Sequence, residues 1–197
     1  SLGNWIGIAT QNSSSIISLG GSNVLYAGNT FAGGAWIYNQ TDYPTDLISA
    51  GCEIQYDVRL TIFAFTPTNS PHKMGASNSA IVASSLTVFQ GGPPPTFTKS
   101  AVFILTSPHL ITSGAAMKTI RVPLELASTS GSTLPSNAYG EWSMTGTTGS
   151  SYTLAQITDF NSLMQNNTGI GFLLDYGQNS GNSWFYDNFC IKNCCID

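Results

Sequence analysis

From Glu53 to Phe63 the chain alternates without a break: Ile54, Tyr56, Val58, Leu60 and Ile62 occupy every second position, with Glu53, Gln55, Asp57, Arg59 and Thr61 between them. A period of two belongs to a β-strand, whose successive side chains point to opposite faces. Alternation of this length requires one buried and one wet face, and therefore a sheet with another layer packed on it. A second run repeats the pattern, with Ile120, Val122, Leu124 and Leu126 on one side and Arg121, Pro123 and Glu125 on the other. Pro123 has no N–H to give a ladder, so this strand is expected at a sheet edge or at a bulge.

Shorter apolar, β-branched or aromatic segments recur at Ser15–Leu19, Asn23–Ala27, Ala35–Tyr38, Ala80–Phe89, Ala101–Thr106, Gly169–Asp175 and Trp184–Ile191, separated by Gly, Asn, Ser and Pro clusters that mark turns. One segment reads as a helix, about 158–165, in which Ile157, Phe160, Leu163 and Met164 gather on one face, Thr158 serves as N-cap and the chain breaks at Asn166-Asn167-Thr168-Gly169. About ten strands and one short helix make an all-β fold, a two-sheet β-sandwich of jelly-roll type. The Thr66–Asn78 and Gly91–Pro95 stretches read as surface loops rather than linkers, so residues 1–197 are expected to form a single domain.

Charge narrows the function classes. Six Lys and Arg stand against ten Asp and Glu, a net charge of -4, and basic residues never cluster, which leaves nothing to neutralise a row of phosphates. Nucleic-acid binding is excluded. The apolar runs fall far short of the roughly 20 residues that span a bilayer, so no membrane span is expected either. Charged residues are 8% of the chain, and Ser, Thr and Asn together supply about a third of it, so hydroxyls and amides must solvate the surface. The chain starts at Ser1 without an initiator Met or a leader, as a processed chain would, and its four cysteines fit an oxidising compartment. An extracellular or cell-surface location is expected. Asn12, Asn39 and Asn166 match the glycosylation pattern, at a frequency that chance explains in so Asn-, Ser- and Thr-rich a chain.

Gly33-Gly34-Ala35-Trp36-Ile37-Tyr38 leads into Tyr43-Pro44-Thr45-Asp46-Leu47, then Ser49-Ala50-Gly51 and the long strand with Tyr56-Asp57-Val58-Arg59. This order resembles the laminin B domain (laminin domain IV) and its bacterial relatives among jelly-roll carbohydrate-binding and surface modules, with Thr45 and Ala50 in place of glycines of the family pattern. Asp159 to Asn166 followed by Gly169–Asp175 is similar to the family's helix and the strand after it, and Phe185-Tyr186-Asp187-Asn188-Phe189-Cys190-Ile191 to its closing strand. The resemblance implies a sandwich fold and a surface-binding habit, and transfers no catalytic residue.

Residues for catalysis are scarce. His72 and His109 each sit in a Ser-Pro-His loop outside any metal-ligand spacing, and no Gly-x-Ser-x-Gly elbow or phosphate loop is present. Glu53, Asp57, Glu125, Glu141, Asp175 and Asp187 could supply a glycoside-cleaving pair, but mostly hold outward strand positions, as a polar face would. Glycan binding instead needs flat aromatic faces flanked by amides and carboxylates. Trp142, Tyr139, Glu141, Trp36 and Tyr43 are the candidates, each with core or rim packing as its competing role, and Tyr139-Gly140-Glu141-Trp142 reads as the exposed platform. Asp187 and Asn188 alternate across the last strand, so one of them faces the core and would bind backbone amides there. No cofactor or metal ligand set is apparent; sandwiches of this kind can hold structural calcium, though no run of acidic residues marks a site.

Cys52 precedes the long strand, Cys190 lies in the last one, and Cys194 and Cys195 adjoin near the end. Adjacent cysteines rarely bond to each other, so Cys52 is expected to pair with one of the other three, while Cys194 or Cys195 could instead reach another subunit. The segment from Leu2 to Ala9, with Trp5, Ile6 and Ile8, reads as a strand that pairs either in its own sheet or with the edge of another copy. Three functions follow: a secreted, non-enzymatic module for adhesion or carbohydrate binding, whose partner is a glycan or surface protein; a subunit that self-assembles into a fibre or layer; and a glycan-cleaving enzyme. The first absorbs most of the observations.

Overall fold

The computed structural model describes residues 4–8, 15–29, 35–63, 86–94, 96–106, 109, 111, 116–175 and 181–193. Two antiparallel sheets pack into a jelly-roll sandwich. The seven-stranded sheet runs β1 (Ile6–Ile8), β4 (Ala35–Asn39), β11 (Gly169–Asp175), β6 (Leu86–Gly91), β7 (Phe97–Leu105), β10 (Gly140–Ser143) and β9 (Ser136–Asn137) across its width. The five-stranded sheet runs β2 (Ser15–Leu19), β3 (Ser22–Asn29), β12 (Gly181–Lys192), β5 (Glu53–Phe63) and β8 (Lys118–Pro123). Two helices, α1 (Leu47–Ala50) and α2 (Leu154–Gln165), complete the described elements, against an expectation of about ten strands and one helix.

The alternation of β5 does what its period requires. Ile54, Tyr56, Val58 and Leu60 are wholly buried, with Glu53, Gln55, Asp57 and Arg59 half-buried between them. β8 pairs with β5 and forms the sheet edge, Pro123 lying opposite Glu53 where its missing N–H costs no ladder bond. The expected continuation to Leu126 does not form: Leu124 is buried, but Leu126 is 44% exposed because the chain leaves the sheet after Pro123. Gly20 and Gly21 carry φ of 59° and 89° in the two-residue turn between β2 and β3, the backbone that a tight hairpin requires and glycine adopts without strain.

α2 begins earlier than expected. Thr153, not Thr158, is the N-cap: its hydroxyl accepts from Gln156 N–H (3.3 Å), and Gln156 Oε1 accepts from Thr153 N–H (2.9 Å), a capping box. Thr158 lies inside the helix and returns its hydroxyl proton to Leu154 O at 2.8 Å. Ile157, Phe160, Leu163 and Met164 enter the core, as their spacing required.

Asp187 and Asn188 do not alternate. A bulge interrupts the pairing of β12 with β5 between Asp187 and Cys190, and Asn188, at φ 50°, is exposed. Its Nδ2 donates to Asp57 Oδ2 at 2.7 Å, so this amide bridges the two carboxylate-bearing strands instead of anchoring a buried loop.

Gly171 on β11 is a packing requirement: a Cβ there would lie 2.8 Å from Ile37 O and 3.0 Å from Tyr38 Cβ. Gly171→Val is expected to lower unfolding free energy by about 1–3 kcal/mol, read by urea denaturation, because the crowded atoms belong to a paired neighbouring strand.

Candidate functional site

β10 places the residues of the sequence-derived platform, and separates them. Trp142 stands opposite Phe103 of β7, a core position, and is 2% exposed. Its ring meets Phe103 and Phe160 edge-on at 5.5 and 5.9 Å, and its Nε1–H donates to Pro123 O at 2.9 Å. Trp142 is therefore not an exposed platform. The Gly-, Ser- and Thr-rich segment around it concealed partners that are remote in sequence. Tyr139 is half-buried with its ring centroid 4.3 Å from that of His109, and Glu141 is half-buried with Oε1 accepting from Gly149 N–H.

The loop after β10 is organised by one hydroxyl. Ser143 Oγ accepts from the N–H groups of Gly146 (3.0 Å), Thr145 and Thr147 (both 3.2 Å) and from Tyr152 Oη–H (3.1 Å). Gly149 to Tyr152, at the end of this loop, form one wall of a cleft of about 210 Å³ whose lining also includes Glu141, Thr133, Ser136 and Leu134. A second cleft of about 210 Å³ adjoins it at Thr133 and Leu134, and is bordered by Glu125, Leu126, Ser128 and Pro135. The two share Thr133 and Leu134 and form one groove along the sandwich edge. Thr133, Ser150 and Ser151 were missed in the sequence, where their trace is the density of hydroxyls between Ser128 and Ser151, and Leu126 was read there as part of a strand's apolar face.

The remaining aromatic candidates lie elsewhere. Trp36 is on β4, separated from β10 by three strands, is 8% exposed and packs against Phe97 at 6.0 Å. Tyr43 packs against Trp5 and Phe189 at 6.0 and 5.0 Å, and burial, then the charges of Asp42 and Cys190, push its phenol above the ordinary tyrosine range. Neither joins the groove.

The N-terminal strand pairs within its own chain, Ile6 opposite Tyr38 and Ile8 opposite Trp36. Trp5 stacks on Phe172 at 5.7 Å, and Asn4 donates to the Asp42 carboxylate, whose pKa is lowered chiefly by the Asn39 side-chain bond and then by Asn4. Ile6 remains 49% exposed at the sheet edge. Cys190 is a half-buried free thiol, and Cys52 N–H donates to Lys192 O at 2.9 Å. Leu2, Asn12, His72, Cys194 and Cys195 lie outside the described residues. Asn39 is wholly buried, and its Nδ2 donates to Asp42 Oδ2 at 2.8 Å, which leaves no room for a glycan in this fold; Asn166 is exposed. Among the described residues, no three His, Cys, Asp or Glu side chains group so as to hold a metal ion, and no helix is long and apolar enough to cross a membrane.

No protein-family model matches the chain, and no curated protein matches it by sequence. Solved structures do. The L4b domain of human laminin alpha-2 superposes with a TM-score of 0.52 at 13% identity, over 94% of this chain and 87% of that one. The module CtCBM11 gives 0.51 at 15% identity, over 98% and 90%. An exo-beta-agarase gives 0.54 at 9% identity; 98% of this chain is covered but only 23% of the agarase. At these identities the likeness establishes the jelly-roll fold.

Trp142→Ala is expected to cost about 3–5 kcal/mol and to lower the melting temperature accordingly, because it empties a core site and leaves Pro123 O without its donor. Thermal unfolding followed by near-UV circular dichroism checks this.

Proposed function

We propose that this chain is a non-catalytic, extracellular carbohydrate-binding module related to the laminin B domains, acting as one domain, and that the groove along β9 and β10 receives the glycan. The observation that carries the reading is the lining of the two adjoining clefts, in which hydroxyl-bearing residues and two carboxylates stand beside Leu126 and Leu134. Sugars are recognised by this combination, in which polar groups at fixed positions bind the hydroxyls and apolar surface takes the C–H faces. The fold shared with a laminin domain and with the module CtCBM11 supports the class. A strand-donating subunit has less support, since pairing with β4 accounts for Ile6–Ile8 without a second copy.

Thr133 is exposed where the clefts meet. Thr133→Trp is expected to abolish retention in affinity electrophoresis through soluble polysaccharides while stability changes by no more than about 0.5 kcal/mol, as surface substitutions usually do. Retention that survives in the variant rejects the groove.

The cysteines support an oxidising compartment. Cys52 is disulfide-bonded, and its backbone bond to Lys192 sets it beside the point where the chain proceeds toward Cys194 and Cys195. Cys190 pairs with Gln55, three residues from Cys52 along β5, or about 10 Å at strand rise, beyond disulfide reach. Non-reducing peptide mapping is expected to find Cys52 linked to the peptide bearing Cys194 and Cys195, with Cys190 alkylated as a thiol.

A further inference from the structure

The charge of the groove narrows what enters it. Among the residues lining the two clefts the charged ones are Glu125 and Glu141, and none is Lys, Arg or His. Glu125 is exposed at one cleft and Glu141 is half-buried at the other, so a chain lying across Thr133 and Leu134 passes both. Glu141 spends one acceptor position of Oε1 on Gly149 N–H, and a carboxylate offers about four such positions. The whole chain adds to this field with a net charge of -4.

Resting on the groove as the glycan site, we infer that it selects glycans bearing free amino groups and rejects acidic ones. A protonated sugar amine brings a full positive charge and three N–H donors to Glu125 or Glu141, where a neutral acetamido group at the same carbon brings one N–H donor and no charge. A uronate or sulfate meets the same carboxylates as a like charge, with no cation in the lining to compensate. Both carboxylates remain in contact with solvent, so the preference is sensitive to ionic strength: the Debye length falls from about 10 Å at 0.1 M to about 3 Å at 1 M salt.

The test uses the intact protein and three probes: glucosamine hexamer, N-acetylglucosamine hexamer and oligogalacturonate, titrated by calorimetry at a pH where amines and carboxylates are both charged. The glucosamine hexamer is expected to bind about tenfold more tightly than its N-acetylated counterpart at low salt, with the gap closing in about 1 M salt. Oligogalacturonate is expected not to bind. The Glu125→Gln/Glu141→Gln variant keeps an acceptor for Gly149 N–H and is expected to bind both hexamers equally. An equal or reversed preference in the unaltered protein overturns the inference, as does oligogalacturonate binding that Thr133→Trp removes. If no probe binds in a manner that Thr133→Trp blocks, the groove itself is wrong, and the selectivity falls with it.

Discussion

Phe172 is where the two sheets are locked together. From β11 in the seven-stranded sheet its ring stacks on Tyr186 of β12 at 4.6 Å and meets Tyr56 of β5 edge-on at 4.9 Å. Aromatic pairs of this geometry contribute about 0.5–1.5 kcal/mol each beyond their buried area, and these two join central strands of opposite sheets. The same ring holds Trp5, which ties the N-terminal strand to the core rather than leaving it to pair by backbone bonds alone. Gly171 completes the arrangement, since its missing side chain leaves room for Tyr38 on the neighbouring strand. Tyr38 and Phe89 can then meet from the strands flanking β11, at 6.4 Å.

The groove follows from how the opposite side of the sandwich closes. Two side chains of the seven-stranded sheet donate to backbone carbonyls of the edge strand β8: Asn137 Nδ2 to Arg121 O and Trp142 Nε1 to Pro123 O, both at 2.9 Å. Pro123 ends the ladder on its nitrogen side but still accepts through its carbonyl, so the proline that terminates the sheet also anchors it to the other layer. Beyond that anchor residues 124–135 leave as irregular chain. Facing them, Gly149 to Tyr152, between the loop gathered around Ser143 and the start of α2, supply the other wall. A rigid edge with polar loops on both sides is where a sandwich can carry a site without disturbing its core.

Laminin and carbohydrate-binding neighbours share the scaffold at identities where contact residues have no counterpart in sequence, so the functional reading must stand on the groove. Its polar lining matches a surface in which charge is rare and hydroxyls abundant. Within that background two glutamates in adjoining clefts are a concentrated feature, and no Lys, Arg or His lines either cleft.

Period-two patterning and turn composition sufficed for the two-sheet architecture, for the buried faces of β5 and β8, and for Pro123 at an edge, because these depend on local alternation that any folded strand must satisfy. The apolar face of α2 was legible for the same reason, while its start was misread: Thr158 was chosen over Thr153, although the Thr153-x-x-Gln156 spacing was there to be read. The site was only half legible. Tyr139–Trp142 pointed to the edge where the proposed groove lies, but the roles within it depended on register. Which of Glu141 and Trp142 faces inward follows from the pairing of β10 with β7, and the groove exists only because residues 125–135 and 149–152 converge there. Alternation is a property of a strand and can be read along the chain; a cleft is a property of segments brought together from a distance, and only the packed sandwich determines it.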